Sequence, residues 1–215
     1  MRLITESYLE QVARWPTEGR RILAQFDEEA VVVYQAYRPD IGEYAARHGT
    51  FGGQFSFARM SWIKPNFLWM MYRSGWGQKE NQEVTLAIWL KRAAFDALLR
   101  EAVYSSYQPE VYPSQEAWAE AVAASEVRLQ WDPDHDPSGA KMVRRAIQLG
   151  LRGESLARYA REWILAIEDI SEFVREQRPH ARAPYTHLLT PREEAYPVED
   201  PTVSRRLGIS AHMLG

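Results

Sequence analysis

AVVVYQAYRPDIGEYAARHG, residues 30–49, is the stretch from which the fold is read. Apart from Gln35, residues 30–37 are apolar, largely β-branched or aromatic, and lack helical spacing, which predicts a buried strand. Pro39 stands where the first turn of a helix tolerates it, and Gly49 is placed to close that helix. The unit reads strand, helix, glycine.

Working outward, residues 6–26 read as a short leading helix and a turn, with Leu9, Val12, Ala13, Ile22 and Phe26 interrupted by Pro16 and Gly19. Residues 50–58 alternate Phe51, Phe55 and Phe57 with small or polar residues, as a half-buried strand or an ordered loop would. In RMSWIKPNFLWMMYRSGWG, residues 59–77, Pro65 is placed to open a helix that Ser74 and Gly75 end. VTLAIWL (84–90) reads as a strand and AAFDALLREAV (93–103) as a helix. SQEAWAEAVAAS (114–125) is a second helix with Ser114 as N-cap. VRLQWDP (127–133) and RRAIQLGLR (144–152) predict a hairpin around DHDPSG. A long amphipathic helix is predicted from Glu154 to Gln177, because Leu156, Tyr159, Ala160, Trp163, Ile164, Ile167, Ile170 and Val174 recur at helical spacing.

Strands and helices mix without steady βαβ alternation, so the expected class is α+β, with a mixed or antiparallel sheet and packed helices. The expected organisation is a single domain over 1–215, with a core at about 27–178. The segment 179–215, which holds five prolines, is expected to be irregular and to pack back through Tyr185, Leu188, Leu189 and Tyr196.

The chain has 215 residues, of which 46% are hydrophobic and 26% charged, enough for one sizeable core. Lys and Arg number 26 against 29 Asp and Glu, so coating nucleic acid by bulk charge is excluded while a local basic cleft is not. With no cysteine, disulfides, thiolate nucleophiles, Fe–S clusters and Cys-ligated zinc are excluded. The N-terminus lacks the apolar run of a secretory signal, and no stretch approaches the roughly 20 apolar residues of a membrane span. The expected location is cytoplasmic, away from membranes. Oligomeric state is left open.

Residues 101–136 hold eight acids and one base, whereas 54–92 hold six bases and two acids. A second basic stretch, Arg144, Arg145, Arg152, Arg158 and Arg161, could face the first across the fold. In 59–77 the cations Arg59, Lys64 and Arg73 are interleaved with Trp62, Trp69 and Trp76, and no acid lies between residues 59 and 79. A ligand carrying phosphate and a base needs these partners: charged donors for its oxygens and flat rings for stacking. The same rings at helical spacing also suit a core helix. Gly75, Gly77, Gln78, Lys79, Asn81 and Gln82 form a polar loop after the helix, but neither GxxxxGK[ST] nor GxGxxG occurs.

The five histidines lack HExxH or paired helical spacing, so no His-rich metal site is expected. Asp132, Asp134 and Asp136 in WDPDHDP offer oxygens to a divalent cation, although proline-broken acidic turns occur without one. Neither a GxSxG elbow nor an assignable catalytic triad is present.

VVVYQAY (31–37), RMSWIKPNFLWMMYRSGWG (59–77), LQWDPDH (129–135), RRAIQLGLRG (144–153) and IEDISEFV (167–174) together resemble the bacterial and fungal family called domain of unknown function forty-two ninety-one. The resemblance makes the polar residues in those motifs the site candidates: Gln35, Tyr37, Arg59, Lys64, Tyr72, Arg73, Arg145, Gln148 and Arg152. His135 stands where that family leads one to expect a basic residue. The strand, helix, glycine unit with VYQAY also faintly resembles the start of the ADP-ribosyltransferase and RNA phosphotransferase folds. There Gln35 replaces the usual Arg or His, and Glu83 is the nearest guess for a catalytic acid.

The function expected is therefore an enzyme acting on RNA or a nucleotide, by phosphoryl or nucleotidyl transfer such as RNA end joining or repair. Lys64, Arg73, Tyr72 and His135 are the expected catalytic groups. Gln35, Tyr37, Arg59, Trp62, Trp76, Arg145, Gln148 and Arg152 are expected to hold substrate, with no metal and no cofactor. The alternatives are an NAD-dependent ADP-ribosyltransferase and a non-catalytic RNA- or partner-binding domain.

Overall fold

The computed structural model describes residues 2–210. In chain order the first half contains β1 (Thr5–Ser7), α1 (Tyr8–Val12), β2 (Leu23–Ala24), β3 (Ala30–Tyr37), α2 (Pro39–His48), β4 (Ser61–Ile63), α3 (Phe67–Ser74), β5 (Val84–Lys91) and α4 (Arg92–Glu101). The second half contains β6 (Val103–Tyr104), α5 (Gln115–Ala124), β7 (Val127–His135), β8 (Lys141–Leu151), α6 (Gly153–Arg158), β9 (Ile164–Asp169), α7 (Ser171–Gln177), β10 (Leu189–Pro191), β11 (Glu194–Ala195) and α8 (Pro201–Arg206). The class is α+β.

Two sheets make the frame, one in the order β3-β5-β9 and the other β4-β8-β7-β6. All neighbours are antiparallel except the parallel pair β6 and β7. Just past β4, Lys64 bridges to Tyr34 on β3, so the sheets meet along a seam. Val31 and Val33 on one face of β3 join Leu86, Ile88, Leu129, Leu149 and Phe95 in the larger core. Val32 and Tyr34 on its other face pack with Phe67, Leu68, Met70 and Met71 of α3. A strand covered on both faces needs no polar alternation, which accounts for the apolar run AVVVY; each such aliphatic side chain contributes about 1.5–3 kcal/mol by leaving water.

Asn66, rather than Pro65, caps α3: its Oδ1 accepts from the Trp69 N–H at 2.7 Å, and Gly75 closes the helix in the left-handed region at φ 59°. Buried Glu193 accepts from the Phe67 N–H at 2.6 Å and from Asn66 Nδ2 at 3.1 Å. The C-terminal segment thus anchors the start of α3. Of the residues expected to pack back, Leu188 and Tyr196 are buried, Tyr185 is half-buried and Leu189 is exposed; Leu207 is buried as well.

One expectation needs correction. The helix predicted over 154–177 is α6, a π-helical turn over Tyr159–Trp163, β9 and α7. Strand β5 has an open edge, and Ile164 and Ile167 pair with Leu90 and Ile88 there; tertiary pairing overrides the helical spacing. Of the strand and loop readings for residues 50–58 the structure has the loop, with the Phe51 and Phe55 rings tilted by 32° at 4.6 Å, and the short leading helix is α1, which ends at Val12. Among the described residues no helix is long and apolar enough to cross a membrane.

Candidate functional site

The seam between the sheets opens into a cavity of about 580 Å³. β3 delivers Gln35 and Tyr37 to it, β4 Ser61 and Trp62, and α3 Trp69 and Arg73. The hairpin β7–β8 adds Gln130 and Gln148, while Arg59 comes from the loop before β4 and Asn81 and Gln82 from the loop before β5. Trp62 faces Gly150 across the β4–β8 ladder. A Cβ at position 150 would lie 2.9 Å from the indole, so glycine there is what lets the ring lie over β8.

The floor is a closed hydrogen-bond network. The buried Tyr159 hydroxyl donates to Gln35 Oε1 at 2.7 Å, which fixes the carboxamide. Gln35 Nε2, with two hydrogens to donate, has three acceptors in reach: Tyr37 Oη at 2.7 Å, Ser61 Oγ at 2.8 Å and the Trp62 carbonyl at 3.1 Å. Burial pushes both tyrosine hydroxyls well above their ordinary pKa, so they remain protonated.

Lys64 lies above this floor with 6% of its surface exposed. Its amine donates to the Trp62 carbonyl at 3.3 Å and lies 5.2 Å from the Trp69 ring centroid. No carboxylate of the described residues lies within 4.0 Å of it. Burial first, and then the Arg73 guanidinium, lower its pKa from 10.5 to about 7, with Asp132 opposing them. Arg59 and Arg73 likewise form no ion pair among the described residues. The lining holds three cations and no acid. The buried Trp69 indole N–H also has no acceptor among the described residues.

Asp132 sits behind the lining, where Gln130 Nε2 donates to its Oδ1 at 2.8 Å and Gln148 Nε2 to its Oδ2 at 2.7 Å. The suggested cation turn does not assemble. Asp134 is committed to the buried Arg144, which donates to Oδ2 at 2.8 and 2.6 Å, and Asp136 accepts from the Ala140 N–H and the Ser138 hydroxyl.

The cavity thus unites Gln35, Tyr37, Arg59, Trp62, Lys64, Arg73 and Gln148. Other candidates lie outside its lining. Arg145 is exposed and occupies the opposite strand face from Gln148, three residues away. The Arg152 guanidinium donates to the carbonyls of Val122, Ala123 and Ser125 and caps the end of α5. Trp76 packs edge-on against Phe67 and donates its indole N–H to the Pro137 carbonyl at 3.1 Å. Glu83 accepts from the Asn81 N–H in an exposed turn. Tyr72 and His135 stack on each other, with ring centroids 3.5 Å apart and planes 9° from parallel. They form a separate pair, in which neither ring nitrogen of His135 has a partner among the described residues and burial lowers the imidazole pKa.

Trp69, Ser61, Tyr159, Gln130 and Asp132 complete the site; the sequence marked Trp69 only as one of the interleaved rings and Asp132 only as a cation ligand, and did not mark Ser61, Tyr159 or Gln130. Period-two alternation could have placed Gln130 and Asp132 on one strand face, but their register against Gln148 depends on where the hairpin turns.

A family model described as Domain of unknown function (DUF4291) matches residues 21–196, a span that includes every lining residue named above. The chain belongs to that family. No curated protein matches it.

Proposed function

For this member of the DUF4291 family we propose an enzyme that binds the phosphate of RNA or of a nucleotide in the seam cavity and catalyses phosphoryl or nucleotidyl transfer there. One observation carries the reading: Arg59, Lys64 and Arg73 line a single cavity that contains no carboxylate in its lining. Lys64 is buried without an acid partner, which is costly to hold, and a bound anion relieves that cost, while Arg59 and Arg73 are exposed cations beside it. Trp62 and Trp69 add ring surface beside them. The cavity is of the size that encloses a nucleotide-sized ligand.

Arginine and lysine donors stabilise the charge that spreads over phosphoryl oxygens in the transition state. An amine with a pKa of about 7 can also take a proton from an attacking hydroxyl or give one to a leaving oxygen. RNA end joining or repair is the reaction class that uses both properties on one substrate. The test is incubation of end-labelled RNAs bearing defined 5′ and 3′ phosphates. Conversion of those ends, lost in Lys64→Met, supports the reading; binding without conversion reduces it to a binding domain.

A second reading takes NAD as the phosphate-bearing donor for ADP-ribosyl transfer. It is favoured by the orientation of Gln35, held by Tyr159 on the first strand of the seam, and by Asp132 as a carboxylate just behind the lining. Glu83, outside the cavity, has no part in it. Transfer of label from adenylate-labelled NAD to RNA or protein distinguishes this chemistry from NAD-independent change of RNA ends.

A further inference from the structure

Gln130 and Gln148 face each other across the β7–β8 ladder and both line the cavity. Their amide groups converge on Asp132, each donating an Nε2–H to a different carboxylate oxygen. A carboxylate accepts and cannot donate, so Asp132 fixes both amides the same way round: nitrogen toward the acid, oxygen away from it. Neither Oε1 accepts a hydrogen bond from the described residues, and neither is a sealed, partnerless atom. Both residues line the cavity, so their two amide oxygens are the acceptors this hairpin offers a ligand there, alongside the cations Arg59, Lys64 and Arg73.

We propose that this glutamine pair is a base-selecting element which accepts the two hydrogens of one exocyclic amino group, as on adenine or cytosine, and rejects the keto bases hypoxanthine and uracil. The inference rests on the nucleotide reading of the cavity. Two acceptors that share one –NH2 group stand about 5 Å apart, from hydrogen-bond lengths near 2.9 Å and the trigonal angle at nitrogen. Directly opposed residues of an antiparallel pair have Cβ atoms about 4.5–5.5 Å apart, so the ladder sets the two glutamine side chains next to each other. A keto oxygen in the same place meets two lone-pair-bearing oxygens and leaves both without a donor.

Titration calorimetry with AMP, IMP, CMP, UMP and inorganic pyrophosphate tests this on the intact chain. The wild type is expected to bind AMP over IMP, and CMP over UMP, by about tenfold or more. Asp132→Asn, isosteric with aspartate, lets one glutamine turn its nitrogen toward the cavity, and the ratio of AMP to IMP affinity is expected to collapse toward equality. Gln148→Leu is expected to lose the preference in the same way. Equal affinity for AMP and IMP, with pyrophosphate bound and lost in Lys64→Met, overturns base selection and leaves the phosphate reading intact. An unchanged AMP preference in both variants overturns the role of the pair. Failure to bind pyrophosphate and all four nucleotides overturns both readings.

Discussion

The main chains of Lys64 and Tyr34 exchange two hydrogen bonds, Tyr34 N–H to the Lys64 carbonyl at 2.7 Å and Lys64 N–H to the Tyr34 carbonyl at 3.3 Å. That pair stitches the two sheets together at the point where the lysine side chain enters the cavity. The backbone from which the amine reaches is therefore set by sheet geometry, as a positioned catalytic group requires.

Holding that amine without an acid partner costs stability. Lys64→Met removes the buried charge and keeps most of the volume, so it is expected to raise stability by about 1–3 kcal/mol while abolishing pyrophosphate binding. Thermal unfolding and calorimetry on the same preparation check both halves. A destabilised variant that still binds contradicts the assignment.

Because Lys64 falls from 10.5 to about 7, the folded chain binds fewer protons at this group than the unfolded chain between those pH values. Its contribution to stability therefore rises with pH across that window, by at most roughly 1.4 kcal/mol per pH unit. Anion binding has the opposite sense, since it needs the protonated amine. Affinity for a dinucleotide phosphodiester, whose own charge is constant from pH 6 to 9, is expected to fall as pH rises through about 7. Lys64→Arg is expected to flatten that profile if it binds, and a flat wild-type profile counts against the amine as the contact.

Arg59→Ala and Arg73→Ala are each expected to weaken RNA binding about tenfold and to lower the salt slope by about 1. Arg145→Ala, on the opposite strand face, is expected to leave affinity unchanged. Arg152→Ala is expected to cost about 1–2 kcal/mol of stability, by freeing three carbonyls near the end of α5, without altering affinity. Filter binding across salt concentrations, with denaturant melts, separates these classes.

His135→Phe keeps a ring against Tyr72 and removes two buried nitrogens that lack partners among the described residues. The expected effect is unchanged nucleotide affinity and RNA-end conversion, with stability equal or raised by up to about 1 kcal/mol. Loss of conversion at unchanged affinity would return His135 to the reacting groups.

Much of this was legible in local sequence. AVVVYQAY announced β3, Gly75 ended α3, and the interleaving of Arg59, Trp62, Lys64 and Arg73 marked the cavity wall, because each signal is carried by adjacent residues. What failed was long-range. β9 exists because β5 has an edge to pair, and Asp132 belongs to the site because Gln148 lies opposite Gln130 in register. Arg152, Trp76 and His135 have the chemistry of site residues, but helix-capping, an indole-to-carbonyl bond and ring stacking occupy them elsewhere. Residue type alone does not reveal that such a group is already engaged.

The central claim is that Arg59, Lys64 and Arg73 form one anion site in the seam, and a crystal structure with pyrophosphate bound tests it most directly. Phosphate oxygens are expected within hydrogen-bond distance of Lys64 Nζ and of the Arg73 guanidinium, with Arg59 closing over them. Pyrophosphate absent from the seam, or seated elsewhere while Lys64 and Arg73 turn to the protein's own carboxylates, would contradict it.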